Sequence, residues 1–221
     1  MNPGALLHLL QLASPALPIG AYSYSQGLEA ALEAGLVRDA DSARDWIVRQ
    51  LNESVALWDA PLQWRLLKAF AANDAPAVAL WNERQLAARD SSEARAETVQ
   101  MGYSLARLLQ DLSLAHGAMP AGEVGLPTAF ASAVAALSIP HEEALLAMLF
   151  SWAENQVLVC VKSVPLGQVA GQRLLLSLRA ELAQAALLAQ TLDEGAMSNW
   201  TPGLSMLSMR HEVQHGRLYR S

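Results

Sequence analysis

Apolar residues recur at the spacing of an α-helix along most of the chain. The first clear stripe follows Asp41, which we interpret as a helix N-cap, and it comprises Ile47, Leu51, Val55 and Trp58. The spacing i, i+4, i+8, i+11 keeps these four side chains on one helical face. Because proline lacks an amide hydrogen, we expect Pro61 to break or kink the segment. The stripe then resumes with Leu62, Leu66 and Phe70.

The remaining helices are predicted from their capping residues and from the prolines and glycines that interrupt or end helices. Asp74 is predicted to cap a short helix, Ser91 or Ser92 a long one, and Ser138 a helix over 139–163. A short helix over 128–137 precedes the last of these, after a loop over 119–127 that holds two prolines and two glycines. Pro165 forces a break before one long final helix. The leucines expected on its core side are Leu175, Leu178, Leu182 and Leu192.

No run alternates with period two for long enough to predict a strand, and neither a repeat nor a shift in composition marks a domain boundary. We therefore predict an all-α fold, a single compact domain over 1–221 with about eight to ten helices. The two ends depart from the pattern. The N-terminal segment 1–27 contains SPALPIGAYSYSQG, and the C-terminal tail, residues 193–221, is poor in alanine. Both are expected to be partly irregular and to wrap the helical body or await a partner.

Composition narrows the function classes. Hydrophobic residues make up 52% of the chain and charged residues 16%, which excludes intrinsic disorder. A formal charge of −6 disfavours nucleic-acid binding, which needs a basic surface. The single cysteine, Cys160, excludes a disulfide framework. We expect no membrane span, because Glu154 and Lys162 interrupt the most apolar stretch. We therefore expect a cytoplasmic protein.

One pattern in the tail resembles a catalytic motif. His211, Glu212 and His215 fit H-E-x-x-H, which on a helix can hold zinc through its two histidines. A metalloprotease needs a third protein ligand, and none of the six residues after His215 is His, Asp or Glu. No other constellation supports a nucleophile or a nucleotide site. We therefore expect no enzyme activity and no cofactor, with a transient metal contact by His211 and His215 as the remaining possibility.

Polar residues interrupt the apolar stretch between Trp152 and Gln172. Buried polar groups need partners, so these residues form either an internal network or a surface for a partner. The sequence leaves both interpretations open for the glutamines. For Lys162 we favour a functional role, because an unpaired lysine is costly to bury.

Four stretches resemble the UreF family of urease accessory proteins and together run through almost the whole chain. They are LLHLLQLASPALPIGAYSYSQGLE from Leu6, MGYSLARLL from Met101, LFSWAENQVLVCVKSVPLGQVAGQRLL from Leu149 and MRHEVQHGRLYRS from Met209. The first and last are specific motifs, and both occur in order. His215 departs from the family pattern, which tends to have an aromatic residue there, and this substitution creates the apparent H-E-x-x-H.

The resemblance implies an all-α, non-enzymatic protein that dimerises and joins the UreD/UreH scaffold and the UreG GTPase. Together they deliver nickel to apo-urease, coupled to GTP hydrolysis and through an internal channel. The alternative is a nickel-binding metallochaperone that uses His211 and His215. In either case we expect no nucleic acid and no membrane partner.

The resemblance also assigns roles to individual residues. Glu29 and Lys162 are the best candidates for exposed charged contacts to UreG. The full set carried over as partner-interface residues is Tyr22, Ser23, Tyr24, Ser25, Glu29, Lys162, Gln168, Gln172, Arg210, His211, Glu212, Arg217, Tyr219, Arg220 and Ser221. The residues expected to act structurally are Pro18, Gly20, Gly27, Pro165 and Gly167.

Overall fold

The computed structural model describes residues 2–114, 116–117, 119–164 and 166–221, and within them it contains helices and no strands. The α-helices are α1 (Pro3–Leu12), α2 (Leu28–Glu33), α3 (Ala40–Gln50), α4 (Ala60–Ala71), α5 (Ala75–Ala87), α6 (Ser92–Asp111), α7 (Leu126–Ala136), α8 (His141–Ser163), α9 (Gln168–Ser177), α10 (Arg179–Thr191) and α11 (Pro202–His211). Since a π-helical segment joins α3 and α4 into one continuous helix, these eleven α-helices form ten separate helices in the described chain. The prediction of an all-α fold with eight to ten helices is confirmed.

A π-helical segment, Leu51–Asp59, joins α3 to α4 without a break. Pro61 therefore does not break the segment, contrary to one part of the expectation. The amide of Ala60 donates to the carbonyl of Val55, five residues back, and Pro61 then lies in the first turn of α4. Proline is tolerated in a first turn because its missing amide hydrogen is not needed there. Such π segments occur often at functional sites.

Other boundaries differ from prediction by a few residues. Asp39, not Asp41, caps α3, where its carboxylate accepts the Ser42 amide at 2.8 Å in a capping box. Ser138 is not a cap, since it has φ +52° and α8 begins at His141 after Pro140. The loop before α7 ends at Gly125, and the predicted long final helix is divided at Leu178. Asp74 and Ser91 cap α5 and α6 as predicted.

Helix α4 lies at the centre of the domain and packs against α5, α7, α8 and α10, while α6 covers α7. The predicted stripe residues Ile47, Leu51, Leu62 and Leu66 are fully buried. Glycine permits one of these contacts. A Cβ on Gly102 of α6 would lie 2.1 Å from the carbonyl oxygen of Val124, so only glycine lets the 124–126 backbone approach this helix so closely.

By length and composition alone, helix α8 could cross a membrane, although it contains Glu154 and Lys162. A single helix of this kind is weak evidence of a membrane span, because the core helix of a soluble protein meets the same criteria. Leu145, Leu149 and Val157 are buried in the domain, where α8 packs against α2, α3, α4, α9 and α10. These contacts account for the apolar character of α8 as that of a core helix.

Candidate functional site

The two ends of the chain, far apart in sequence, meet on one side of the helical body. Three residues of the N-terminal segment adopt positive φ: Gly20 (+78°), Gln26 (+55°) and Gly27 (+82°). At Gly27 glycine is also needed for space, because a Cβ would lie 2.9 Å from Cδ1 of Leu204 in α11. This turn starts α2 at Leu28 and places Glu29 in its first turn, facing the tail.

Glu29 binds the tail through its carboxylate. Its buried carboxylate accepts from His211 Nε2 at 2.8 Å, from the Leu218 amide at 2.7 Å and from the Tyr219 amide at 3.0 Å. Three donors on one carboxylate, two of them backbone amides, fix both the direction of α11 and the path of the residues after it. Charge-assisted hydrogen bonds of this kind are stronger than neutral ones.

His211 is fully buried between two carboxylates. Its Nδ1 lies 2.7 Å from Glu93 Oε2, opposite the Nε2 contact to Glu29. A carboxylate only accepts hydrogen bonds, so both ring nitrogens must carry hydrogen to satisfy two carboxylates. The geometry thus matches an imidazolium, and Arg217, which donates to Glu93, adds a second cation. We call Glu29, Glu93, His211 and Arg217 the clasp.

The last residues of the tail pair with the backbone of the N-terminal segment. The Ser25 amide donates to the Ser221 carbonyl at 2.9 Å, and the Arg220 amide donates to the Ser23 carbonyl at 2.8 Å. The Ser25 hydroxyl also donates to the Ser221 carbonyl. Ser25 and Ser221 are buried as a result.

A second polar cluster lies beneath this pairing. Glu97 of α6 accepts from Ser221 Oγ at 2.7 Å and from Gln26 Nε2 at 2.6 Å, and Trp152 Nε1 donates to Gln26 Oε1 at 2.8 Å. Burial raises the pKa of Glu97, although the hydrogen bonds from Gln26 and Ser221 act in the opposite direction. Gln26 therefore links the N-terminal segment to both α6 and α8.

Glu97 and Ser221 also line a partly open cavity of about 270 Å³ between the π-helical segment, α6, α8 and the tail. Asp59 and Arg89, which form an ion pair, line it as well. Three amide oxygens in its wall, Gln50 Oε1, Gln63 Oε1 and Gln85 Oε1, are buried and have no protein partner. Unpaired buried acceptors of this kind require water or another donor.

The tail exposes several large apolar side chains. Trp200 is 82% exposed, Val213 76% and Leu218 75%, and Met206 and Met209 are exposed as well. Arg210 and Arg220 are also exposed, whereas Glu212 accepts from the Ser92 amide at 2.9 Å at the start of α6. We call this the outer tail face.

The structure divides the predicted site residues into two groups. The buried ones are Tyr24, Ser25, Glu29, His211, Tyr219 and Ser221, and the exposed ones are Pro18, Tyr22, Lys162, Gln168, Gln172, Arg210, Glu212, Arg217 and Arg220. Ser23 and Gly20 are half-buried. Pro165 lies outside the described residues. The clasp and the pairing of the ends thus bring most of the two motif segments together.

Of the two charged residues expected to be exposed, Glu29 is instead buried against the tail. Lys162 is exposed as expected, with its Nζ 6.0 Å from the Tyr219 ring centre. Gly167 does not serve close packing, since a Cβ there would meet nothing within 4 Å. Gly171 does, because its Cβ would lie 2.5 Å from Val161 Cγ2.

The interrupted stretch from Trp152 to Gln172 combines both of the interpretations left open. Asn155 donates to the Tyr24 carbonyl at 2.9 Å, and Gln156 donates to Gln26 Oε1 at 3.3 Å, so these two belong to an internal network. Gln168 and Gln172 are exposed on α9 and remain available to a partner.

The H-E-x-x-H pattern does not form a helical histidine pair. Helix α11 ends at His211, and His215 is exposed beyond it while His211 is buried. Both His211 nitrogens are occupied by carboxylates, so neither offers a lone pair to a metal. Within the described residues, no group of three or more His, Cys, Asp and Glu side chains could hold a metal ion.

Sequence reasoning did not single out Glu93, Glu97, Gln26, Asp59 or Arg89. Glu93 follows the cap of α6 by two residues and resembles an ordinary first-turn acid. Glu97 lies one turn later, on the face of α6 that carries Met101 and Leu105. A carboxylate on this apolar face was the feature of the sequence that could have identified it. The link from Glu93 to the tail spans 118 positions and has no local signature.

Comparison with known proteins gives a consistent result. The family model UreF matches residues 37–179. The urease accessory protein UreF of Janthinobacterium sp. (strain Marseille) is 65% identical, with all of both chains covered. Those of Nitrosospira multiformis and Azoarcus sp. (strain BH72) are 59% and 53% identical, covering 98% of this chain and 98% and 95% of theirs. These alignments include both end segments, which lie outside the range of the family model.

Proposed function

The chain belongs to the UreF family of urease accessory proteins and thus has a role in urease maturation, and we propose that it acts there as a non-enzymatic bridge. It would join the UreD/UreH scaffold to the UreG GTPase and gate the GTP-dependent delivery of nickel to apo-urease. The proposal includes a cytoplasmic location, a homodimer, and neither nucleic acid nor membrane as partner.

The outer tail face is the observation that carries this proposal. Its inner side is held by the clasp, while Trp200, Val213 and Leu218 expose their apolar groups to solvent. Large exposed apolar side chains grouped together are typical of protein interfaces, and tryptophan is enriched among residues that dominate binding. The arginines among them suit a partner surface with an apolar groove and an acidic rim. We assign the scaffold to this face.

The partly open cavity suits the passage of a cation. Asp59 and Glu97 contribute carboxylates, and Gln50 and Gln63 contribute amide oxygens without protein donors. Burial raises the pKa of Glu97, which means that its charged form lacks full compensation, and a passing nickel ion would supply it. We therefore propose that the cavity forms part of the route of nickel, as cargo and not as resident cofactor.

Lys162, Gln168 and Gln172 support a second interface. All three are exposed, and Lys162 lies at the end of α8 beside the Tyr219 ring, next to the tail. We propose that Lys162 contacts UreG. Because its ammonium group is exposed, Lys162→Ala should weaken UreG recruitment while leaving thermal unfolding unchanged, and a large loss of stability would show a structural role instead.

The metallochaperone alternative has less support. His211 is buried with both nitrogens engaged, and His215 is exposed and apart from it. Calorimetry with nickel on the isolated chain separates the two functions. Binding below micromolar Kd that disappears in the His211→Ala, His215→Ala double variant would favour the metallochaperone.

The bridging function is tested by co-purification with the UreD/UreH scaffold and UreG. A chain that ends at Gly203 lacks most of the outer tail face and all of the clasp residues contributed by the tail. We expect it to fail to form the three-way complex. A complex that forms normally without residues 204–221 would refute the role assigned to the tail.

A further inference from the structure

One ion pair lies in the wall of the partly open cavity. Arg89, just after α5, donates to the carboxylate of Asp59 at the end of the π-helical segment, and its Nε donates to the Gln85 carbonyl at 3.3 Å. The side chains of Arg89 and Asp59 keep 22% and 25% of their surface exposed. The pair is therefore not sealed in the core, and it lies within reach of a small cation in the cavity.

The π-helical segment is what brings Asp59 to this wall. Gln50 and Asp59 both line the cavity, although nine positions separate them. In an α-helix of about 3.6 residues per turn, nine positions make two and a half turns, which would place the two side chains on opposite faces. The wider turn of a π-helix returns Asp59 to the face of Gln50. Gln63, about one turn farther along in α4, lines the same cavity.

The charges around the cavity are unequal. Its described lining contains three acids, Asp59, Asp90 and Glu97, and one base, Arg89. Burial alone would lower the pKa of Arg89, but the nearby carboxylates, Asp59 first, raise it, so the guanidinium stays charged. Burial is the largest cause of the raised pKa of Glu97, and among its charged neighbours Arg89 lowers that pKa while Asp59 raises it. The field of Arg89 thus acts on more than one carboxylate of the cavity.

The ligands that the cavity offers bind nickel weakly. Among the described residues that line it, none is His or Cys, and its charged ligands are carboxylates. Imidazole suits nickel, whereas carboxylate and carbonyl oxygens suit harder cations and the thioethers of Met101 and Met148 suit softer ones. An ion that passes through a protein must bind well enough to enter and weakly enough to leave. The lining is therefore that of a passage and not of a storage site.

We propose that Arg89 is a built-in competitor of nickel at Asp59. Its guanidinium occupies the carboxylate that a cation in the cavity would otherwise bind, and it repels a second positive charge nearby. A nickel ion binds at Asp59 only by displacing Arg89, and it leaves when Arg89 returns. Arg89 is thus a residue that keeps nickel in transit. The inference rests on the proposed route of nickel through the cavity and assigns one residue a role in it.

The experiment measures the Kd of nickel for the full chain by calorimetry. Arg89→Gln frees the Asp59 carboxylate and removes the repelling charge, so we expect Kd to fall by about tenfold or more. Adding Asp59→Asn to this variant should return Kd to the parent value or above it. Arg95→Gln is the matched control, because Arg95 forms an exposed ion pair with Glu123 away from the cavity. It should leave Kd unchanged.

Two further variants guard against a merely structural effect. Arg89→Met removes the charge but keeps most of the side-chain volume, and it replaces Arg89→Gln if that variant does not fold. Arg89→Lys keeps the positive charge and should bind nickel with a Kd near the parent value. The proposal is overturned if removing the charge of Arg89 does not tighten nickel binding, or if the tighter binding persists when Asp59→Asn is added.

Nickel transfer separates this inference from the function on which it rests. In the complex with the UreD/UreH scaffold and UreG, Arg89→Gln should slow the delivery of nickel to apo-urease, because the ion is retained at Asp59. Tighter binding with delivery at the parent rate would refute the route through the cavity. Unchanged binding would overturn the role of Arg89 alone and leave the bridging function intact.

Discussion

His211 Nε2 and Glu29 Oε2 lie 2.8 Å apart, although 182 positions separate the two residues in the chain. This contact fastens the tail to the first turn of α2, and Glu93 completes it from α6 on the other side of the imidazole. It brings together the two end segments in which the family resemblance is most specific.

Replacing His211 by alanine leaves the carboxylates of Glu29 and Glu93 facing an empty, buried space. Breaking a buried ion pair by removing one partner commonly costs about 3 kcal/mol, because the remaining charge loses its compensation. We expect His211→Ala to lower the free energy of unfolding by an amount of this order in urea titrations.

The matched control is His215→Ala, which alters an exposed side chain four residues away. It should change the free energy of unfolding by less than about 0.5 kcal/mol. Equal effects of the two substitutions would show that His211 is not held in the clasp.

Glu97 should give the stability a distinct pH dependence. Burial raises its pKa above the usual value of 4.5, so as pH rises the unfolded chain loses this proton before the folded chain does. The free energy of unfolding therefore falls as pH rises through the window between the two pKa values. In Glu97→Gln this contribution is absent, so the variant should gain stability relative to the parent as pH increases above 4.5.

Urea unfolding from about pH 5 to about pH 8 measures that difference. Glu123→Gln serves as the control. The hydrogen bond from Arg95 lowers the pKa of Glu123, an exposed residue, and its titration therefore lies below this window. A difference between Glu97→Gln and the parent that does not change with pH would contradict the account of Glu97.

Gly102→Ala should destabilise the contact between α6 and the 124–126 backbone. The added Cβ would lie 2.1 Å from the Val124 carbonyl oxygen, and a backbone atom cannot rotate away as a side chain can. Overpacking of this kind commonly costs about 1–3 kcal/mol, which thermal unfolding would register as a lowered Tm.

Gly167→Ala provides the comparison, because its Cβ would meet nothing within 4 Å and the residue has a negative φ of −69°. It should leave Tm nearly unchanged. If Gly102→Ala is tolerated as well as Gly167→Ala, the close approach of the 124–126 backbone to α6 is not required for the fold.

The features that the sequence predicted correctly depend on neighbouring residues. The caps at Asp74 and Ser91 and the stripe at Ile47, Leu51, Leu62 and Leu66 rest on contacts within a few positions. The continuity of α3 and α4 was missed because a π-helical segment leaves no clear pattern of apolar residues and changes what a following proline does. The true N-cap of α3, Asp39, lies two residues before another aspartate with the same capping chemistry.

The candidate site was predictable only in part. The end motifs identified most of the residues that meet there, but not the fact that they meet each other. Glu29 was expected to be exposed as a charged contact to a partner. Its carboxylate instead accepts from Leu218, Tyr219 and His211. Such pairing over long separation depends on the tertiary fold and has no signature in local sequence.

We have proposed that the outer tail face binds the UreD/UreH scaffold. The most direct measurement is the Kd of the isolated chain for that scaffold after the double change Trp200→Ala, Val213→Asp, which alters two exposed side chains and none of the clasp. We expect Kd to rise by about 30-fold or more, the loss of one dominant contact of about 2 kcal/mol, with Tm unchanged. Leu187→Asp, at a 65% exposed position of α10, should leave Kd at the parent value. An unchanged Kd in the double variant would contradict the account.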